Sequence, residues 1–193
     1  MTIKPATPEH APLIGRAVVM AIGAEITRNL AGQEHTPADV EALFSSLAAR
    51  PDTQYSYLNT LLAIDDDGRP MGCIVSYDGA GLIGMRRIFF EEALRRLDLD
   101  FGTDPDSIDP ETTPDEFYLD TLAVFEPYRG RGIARRLIEA AACRAAEISG
   151  KPVGLLVDKT NHRARRQYDS IGFVFRDERP FAGEVMDHLQ LPS

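Results

Sequence analysis

Apolar residues recur along this chain with two periods, and the changes of period mark out its elements. Residues 2–7 alternate as a short strand does. Leu13, Ile14, Ala17, Val18 and Ala21 then share one helical face, and Thr7-Pro8 ahead of them supplies an N-cap and a first-turn proline. Thr36-Pro37 repeats that device before Val40, Leu43, Phe44 and Leu47. Residues 57–64 and 72–77 read as two strands of a hairpin joined by the polar turn Asp65-Asp66-Asp67-Gly68-Arg69-Pro70. Residues 85–97 form an amphipathic helix, and the polar stretch 98–114 after it is long for a loop in a compact domain. The second half predicts strand 117–125, helix 133–149, strand 153–157, helix 161–171, a strand beginning at 173–175 and a last strand at 185–191. A hairpin followed by β-α-β-α alternation makes a mixed α/β sheet. No repeat, low-complexity tract or linker divides the chain, so one domain over residues 1–193 is expected.

Composition narrows the class. The two cysteines, Cys73 and Cys143, lie in an apolar strand-like run and an Ala-rich helix, which predicts buried free thiols and excludes a disulfide framework. No apolar run has the length of a membrane span, and the first residues lack the hydrophobic stretch of a signal peptide. A cytoplasmic protein with no membrane partner is the expectation. The net charge of −9 argues against a nucleic-acid partner. Charge is also segregated. Nine carboxylates and no Lys or Arg fall between Asp98 and Asp120, whereas residues 129–166 hold ten basic side chains. An acidic lobe beside a basic one suits a cationic substrate meeting a polyanionic one. A solvated acidic loop explains the same run equally well. The histidines His10, His35, His162 and His188 are scattered without ligand spacing, so no metal is expected.

The most informative segment joins the two lobes. An apolar run ends at Glu126-Pro127, a basic loop Arg129-Gly130-Arg131-Gly132-Ile133-Ala134 follows, and a helix begins. Strand, glycine-bearing loop and helix together make an anion site, because the first helical N–H groups have no internal partner and carry the positive end of the dipole. Arg129, Arg131 and Arg135 add charge there. The spacing matches neither a P-loop nor G-x-G-x-x-G, and no acidic ribose partner ends a second strand. A plain strand-to-helix turn with incidental glycines is the alternative reading.

Arg129-x-x-Gly132-x-Ala134 resembles the Q/R-x-x-G-x-G/A loop of the GCN5-related N-acetyltransferases, the GNAT family. A second segment, Asn161-x-x-Ala164-x-x-x-Tyr168-x-x-x-Gly172-Phe173, is similar to the family's helix after strand five. The ordered pair covers residues 117–173 closely. The resemblance implies a mixed, largely antiparallel sheet of six or seven strands flanked by helices, with a V-shaped split between strands four and five. Against the shortest family members, residues 82–114 form a helical and acidic-loop insertion.

The resemblance also implies roles. Acetyl-CoA enters the split as cosubstrate, its pyrophosphate on the 129–134 loop and the start of the following helix at Arg135, and its pantetheine arm against Leu122, Ala123 and Val124. Asn161 holds a pantetheine amide, and Tyr168 protonates the departing thiolate. A phenol suits that task, since its reference pKa near 10 lies above a thiol's 8.5 or so. Asp120 is the candidate general base or substrate contact; Glu116 or water are alternatives. Transfer to an amine of a small molecule or peptide, by direct attack in a ternary complex, is the expected reaction. An acyl-CoA-binding module without turnover, or use of another acyl group, stays open, as does homodimerisation. The acceptor is not legible.

Overall fold

The computed structural model describes residues 1–192. Its seven strands are β1 (Thr2–Pro5), β2 (Thr60–Ile64), β3 (Pro70–Asp78), β4 (Phe117–Val124), β5 (Val153–Val157), β6 (Val174–Phe181) and β7 (Glu184–Leu191). They form one sheet in the order β1-β2-β3-β4-β5-β7-β6. Every neighbouring pair is antiparallel except β4–β5. The helices are α1 (Ala11–Ala31), α2 (Pro37–Ala48), α3 (Leu82–Leu97), α4 (Ile133–Ile148) and α5 (His162–Ile171). None is long and apolar enough to cross a membrane.

Period-two alternation sorts the strands between two cores. Leu62, Ile64, Cys73 and Val75 face α1 and α2, packing with Ile14, Val18, Leu43, Phe44 and Leu47. Leu61, Ala63, Met71 and Ile74 face the other way, onto Leu137, Ile138, Ala141 and Ala145 of α4. The buried stripe on α4 stops short of Ile148, which is 59% exposed. Cys73 is buried, whereas Cys143 is exposed, against expectation. Position 143 is two residues from both Ala141 and Ala145, so it lies off the stripe that meets the sheet.

Local chemistry sets the boundaries. Thr36 caps α2: its hydroxyl accepts from Asp39 N at 3.4 Å, and Asp39 accepts from Thr36 N at 2.8 Å. The hairpin strand expected from 57 begins only at Thr60, because Ser56 accepts from Leu58 N and winds Tyr57–Asn59 into a 3-10 turn. The strand expected at 173–175 continues to Phe181 through the polar run Arg176-Asp177-Glu178-Arg179. As an edge strand exposed along most of its length, it needs no apolar face. The acidic stretch 98–114 is anchored: Arg86 donates to Ile108 O at 2.8 Å and Pro105 O at 3.2 Å, and forms a buried ion pair with Glu111.

Two irregularities in β4 shape the site. The parallel β4–β5 register covers only Phe117↔Val153 and Tyr118↔Gly154, after which the strands part. On its other edge the β3–β4 register passes from Ser76↔Leu119 to Val75↔Thr121, leaving Asp120 as a bulge residue. That extra residue resets the alternation. Phe117 and Leu119 face the α4 core, and so do Leu122 and Val124. Tyr118 packs instead with Tyr77 and Leu82, so it and Leu122, which unbroken alternation would put on one face, lie in different clusters.

Gly154 stands where the strands separate, and a Cβ there would overlap the Glu116 carboxylate. Gly154→Ala is therefore expected to cost about 1–3 kcal/mol as an overpacked position. At about 2–4 °C per kcal/mol for a chain of this size, Tm falls by several degrees. Thermal unfolding of the variant checks this, and an unchanged Tm contradicts the packing described.

Candidate functional site

The parting of β4 and β5 opens a cleft of about 940 Å³, within the range of small-molecule sites. At one end lies the start of α4. Gly130 (φ 76) and Gly132 (φ 74) both hold left-handed backbone, which is why glycine stands at each. Gly132 is the N-cap, and no side chain caps the helix. Its first N–H groups therefore lack both an intrahelical and a capping partner. Gly130, Gly132, Ala134 and Arg135 line the cleft, and a Cβ on either glycine would meet nothing within 4 Å. Ile133 also borders it, but its side chain is buried in the α4 core, leaving the main chain to face a ligand.

The arginines divide. Arg129 lines the cleft and donates through Nε to Val124 O at 3.1 Å. Arg135 lines it with Nε bonded to Glu139 at 2.9 Å. Arg131 is not on the cleft wall; its guanidinium lies 5.6 Å from the Tyr128 ring centroid. Arg163 of α5, which holds a fixed position in neither family motif, also borders the cleft.

Along β4 the main chain faces the opening at alternate residues. Phe125 N donates to Met71 O of β3 at 2.9 Å. Counting back in twos, Ala123 turns its main-chain groups to β3, while Leu122 and Val124 turn theirs toward the split. All three residues border the cleft. On the facing wall, Asn161 accepts from Ala164 N at 3.1 Å and caps α5, which leaves both of its amide N–H groups for a ligand. Tyr168 lines the cleft with its ring 5.7 Å from that of Phe173. Burial pushes its hydroxyl up to about 12, so the phenol stays protonated.

At the far end the bulge presents Asp120 to the cleft. Tyr77 donates to it at 2.9 Å and Thr121 at 2.8 Å. Burial pushes its carboxyl up to about 6, the Glu111 charge adds to this, and the two hydrogen bonds oppose it. Tyr55, Glu111 and Tyr118 share this end. Burial, and then the charges of Asp120 and Glu111, hold the hydroxyls of Tyr55, Tyr77 and Tyr118 well above the usual phenol range. These tyrosines and Glu111 come from four separate stretches, and no local motif marked them.

Glu116, the alternative base, has another task. It is 1% exposed and does not border the cleft. It accepts from Thr112 at 2.8 Å, Arg179 at 2.9 Å and Thr113 N at 3.2 Å, and pairs with His188 at 2.9 Å. Burial alone would push its carboxyl up, but His188, Thr112 and Arg179 outweigh that and hold it at about 2. The carboxylate thus ties β4, the acidic loop and the β6–β7 hairpin together where the split begins. Among the described residues, no group of three or more His, Cys, Asp or Glu is placed to hold a metal ion.

Comparison with known proteins agrees with this architecture. A crystal structure described as an acetyltransferase superposes with a TM-score of 0.74 at 29% identity, covering 100% of this chain and 99% of that one. An N-acetyltransferase from Staphylococcus aureus Mu50 gives 0.77 at 22% identity, covering 99% and 100%. A structure from Corynebacterium glutamicum, described as histone acetyltransferase HPA2 and related acetyltransferase, gives 0.66 at 21%, covering 100% and 96%. At those last two identities the likeness speaks for the fold. No curated protein matches the sequence. The profile of the Acetyltransferase (GNAT) family matches residues 28–173, which include α2, the parting strands β4 and β5, the uncapped start of α4 and Tyr168. The chain belongs to the GNAT acetyltransferase family.

Proposed function

We propose that this protein transfers the acetyl group of acetyl-CoA directly to the nitrogen of an amine held in the same cleft. The observation that carries this reading is the arrangement of one continuous cleft. An uncapped helix start lies at one end, main-chain groups of Leu122 and Val124 with no strand partner on the β5 side along its middle, and Tyr168 and Asp120 on its walls. The pyrophosphate fits the open space beside Gly130 and Gly132, with Arg129 and Arg135 at hand. Leu122 and Val124 hold the pantetheine arm through main-chain hydrogen bonds, and Asn161 donates to one of its carbonyls.

Catalysis then follows from the two shifted groups. The amine lone pair attacks the thioester carbonyl carbon, and the nitrogen becomes strongly acidic as the C–N bond forms. Asp120, ionised above about pH 6, takes that proton and passes it to water. Collapse of the oxyanion breaks the C–S bond. Full protonation of a thiolate by a phenol near 12 is uphill. Tyr168 therefore acts as a hydrogen-bond donor that stabilises the departing sulfur, which is protonated afterwards by water. Neither cysteine borders the cleft, so a direct attack needs no acyl-enzyme.

Asp120→Asn tests the base. In the native protein, kcat/KM is expected to fall more steeply below about pH 6, as the carboxylate is neutralised while the free-amine fraction is also falling. The variant keeps only the amine's slope and loses about 10²–10⁴-fold in rate at pH 8. A native profile with no change of slope near pH 6 removes Asp120 as base. Stability shifts the other way. A raised carboxyl pKa costs folding free energy as pH rises from the unfolded value through about 6. The Asn variant therefore gains Tm relative to the native protein at pH 8, and not at pH 3.

A further inference from the structure

Five carboxylates, Glu25, Glu111, Asp120, Asp158 and Glu184, border the cleft, and their partners differ. Asp158 accepts from the Thr160 main chain and hydroxyl. Glu111 is compensated by Arg86. Asp120 has hydrogen bonds from Tyr77 and Thr121 but no cationic partner among the described residues. A carboxylate taken from water without a counter-charge is a site for a cation. Beside it, Tyr118 is 4% exposed, borders the cleft, and its hydroxyl bonds to no described residue. The residue is buried but its oxygen is not among the enclosed atoms lacking a partner, so the hydroxyl reaches the cleft and offers lone pairs to an incoming N–H.

Glu25 and Glu184 stand at the mouth, on elements whose backbone is bent to bring them there. α1 breaks at Gly23 (φ 81), and the half that follows carries Glu25 along the cleft wall. The β6–β7 turn uses left-handed backbone at Ala182 (φ 50) and Gly183 (φ 86), and places Glu184 on the wall as well. Both side chains are exposed, and neither makes an ion pair with a described residue. The basic residues bordering the cleft, Arg129, Arg135 and Arg163, belong to the phosphate loop, α4 and α5. The site is therefore cationic where the cosubstrate's phosphates go and anionic where the acceptor goes.

We infer that the acceptor is an aliphatic amine with a second cationic centre, the reacting nitrogen at Asp120 and Tyr118 and the second at the rim carboxylates Glu25 and Glu184. This rests on the transferase reading proposed above. A second positive charge is attracted by the rim, whereas a carboxylate in its place is repelled. Exposed pairs are individually weak, so the two rim contacts together are expected to favour a diamine over its matched monoamine roughly tenfold in kcat/KM.

The test measures thiol release by the full chain at saturating acetyl-CoA, with α,ω-diaminoalkanes of three to eight carbons, the corresponding alkylamines and the corresponding ω-amino acids. The expected order is diamine above monoamine above amino acid for at least one chain length. The Glu25→Gln/Glu184→Gln double variant is expected to lower the diamine rate to that of the monoamine. Both positions are exposed and unpaired, so the variant folds, and its melting curve verifies that. Monoamines turned over as well as diamines at every length, or an undiminished diamine preference in the double variant, overturn the inference and leave the transferase reading standing. Acetyl-CoA bound with none of these amines acetylated also overturns the inference, and acetyl-CoA that is not bound at all overturns the transferase reading beneath it.

Discussion

Gly132→Asp is expected to abolish acetyl-CoA binding in a protein that still folds. The position needs φ 74, a conformation Asp adopts more readily than most residues, and nothing lies within 4 Å of a Cβ there. Residual backbone strain costs about 1–2 kcal/mol, part of which Asp recovers by capping α4, a preferred N-cap role. That recovery is what removes the ligand. The new carboxylate accepts from the N–H groups the pyrophosphate requires and repels it by like charge, an effect of several kcal/mol. Calorimetric titration is expected to show affinity reduced at least about a hundredfold. Gly132→Ala, which carries strain without charge, loses far less. Unchanged affinity in folded Gly132→Asp contradicts the assignment of the α4 start as the phosphate site.

Tyr168→Phe is expected to lower kcat by about 10²–10³-fold, the usual cost of removing one donor to a developing anion. The phenyl ring keeps its edge contact with Phe173, so acetyl-CoA affinity and Tm hold. Because the hydroxyl titrates near 12, its loss leaves the shape of the pH profile unchanged between pH 5 and 9. That separates it from Asp120→Asn, which alters the low-pH limb. A fall in cosubstrate affinity without a fall in kcat contradicts the role given to Tyr168, since uniform binding energy appears in KM alone.

The two lobes were not equally legible. Leu61-Leu62-Ala63-Ile64 read as a strand and residues 133–149 as a helix, but the strand's apolar run is unbroken and buried on both faces, so which side chain meets which core was not legible. Thr36-Pro37 marked the start of α2, because a cap is a local device. Asp120 and Glu116 show where this stops. Four residues apart on one strand approach, they read alike in sequence. The structure gives one a place on the cleft wall and the other a buried network, through partners 63 and 72 positions away, Arg179 and His188. The bulge that turns Asp120 outward depends on β3 register and leaves no trace in composition. Tyr55, Tyr77, Tyr118 and Glu111 converge only through sheet order and the anchoring of the acidic loop. The strand through Arg176-Asp177-Glu178-Arg179 was missed because an exposed edge shows no apolar alternation.

Direct transfer from acetyl-CoA to an amine nitrogen within one cleft makes a prediction about the order of events. Mixing the protein with excess acetyl-CoA, first alone and then with the amine series, tests it by following free thiol together with intact-protein and small-molecule mass. No CoA release and no acetyl adduct on the protein are expected before an amine is added. After addition, CoA and N-acetylated amine appear in equal amounts. A burst of CoA with an acetylated protein before any amine is present, or bound acetyl-CoA that no amine discharges, contradicts it.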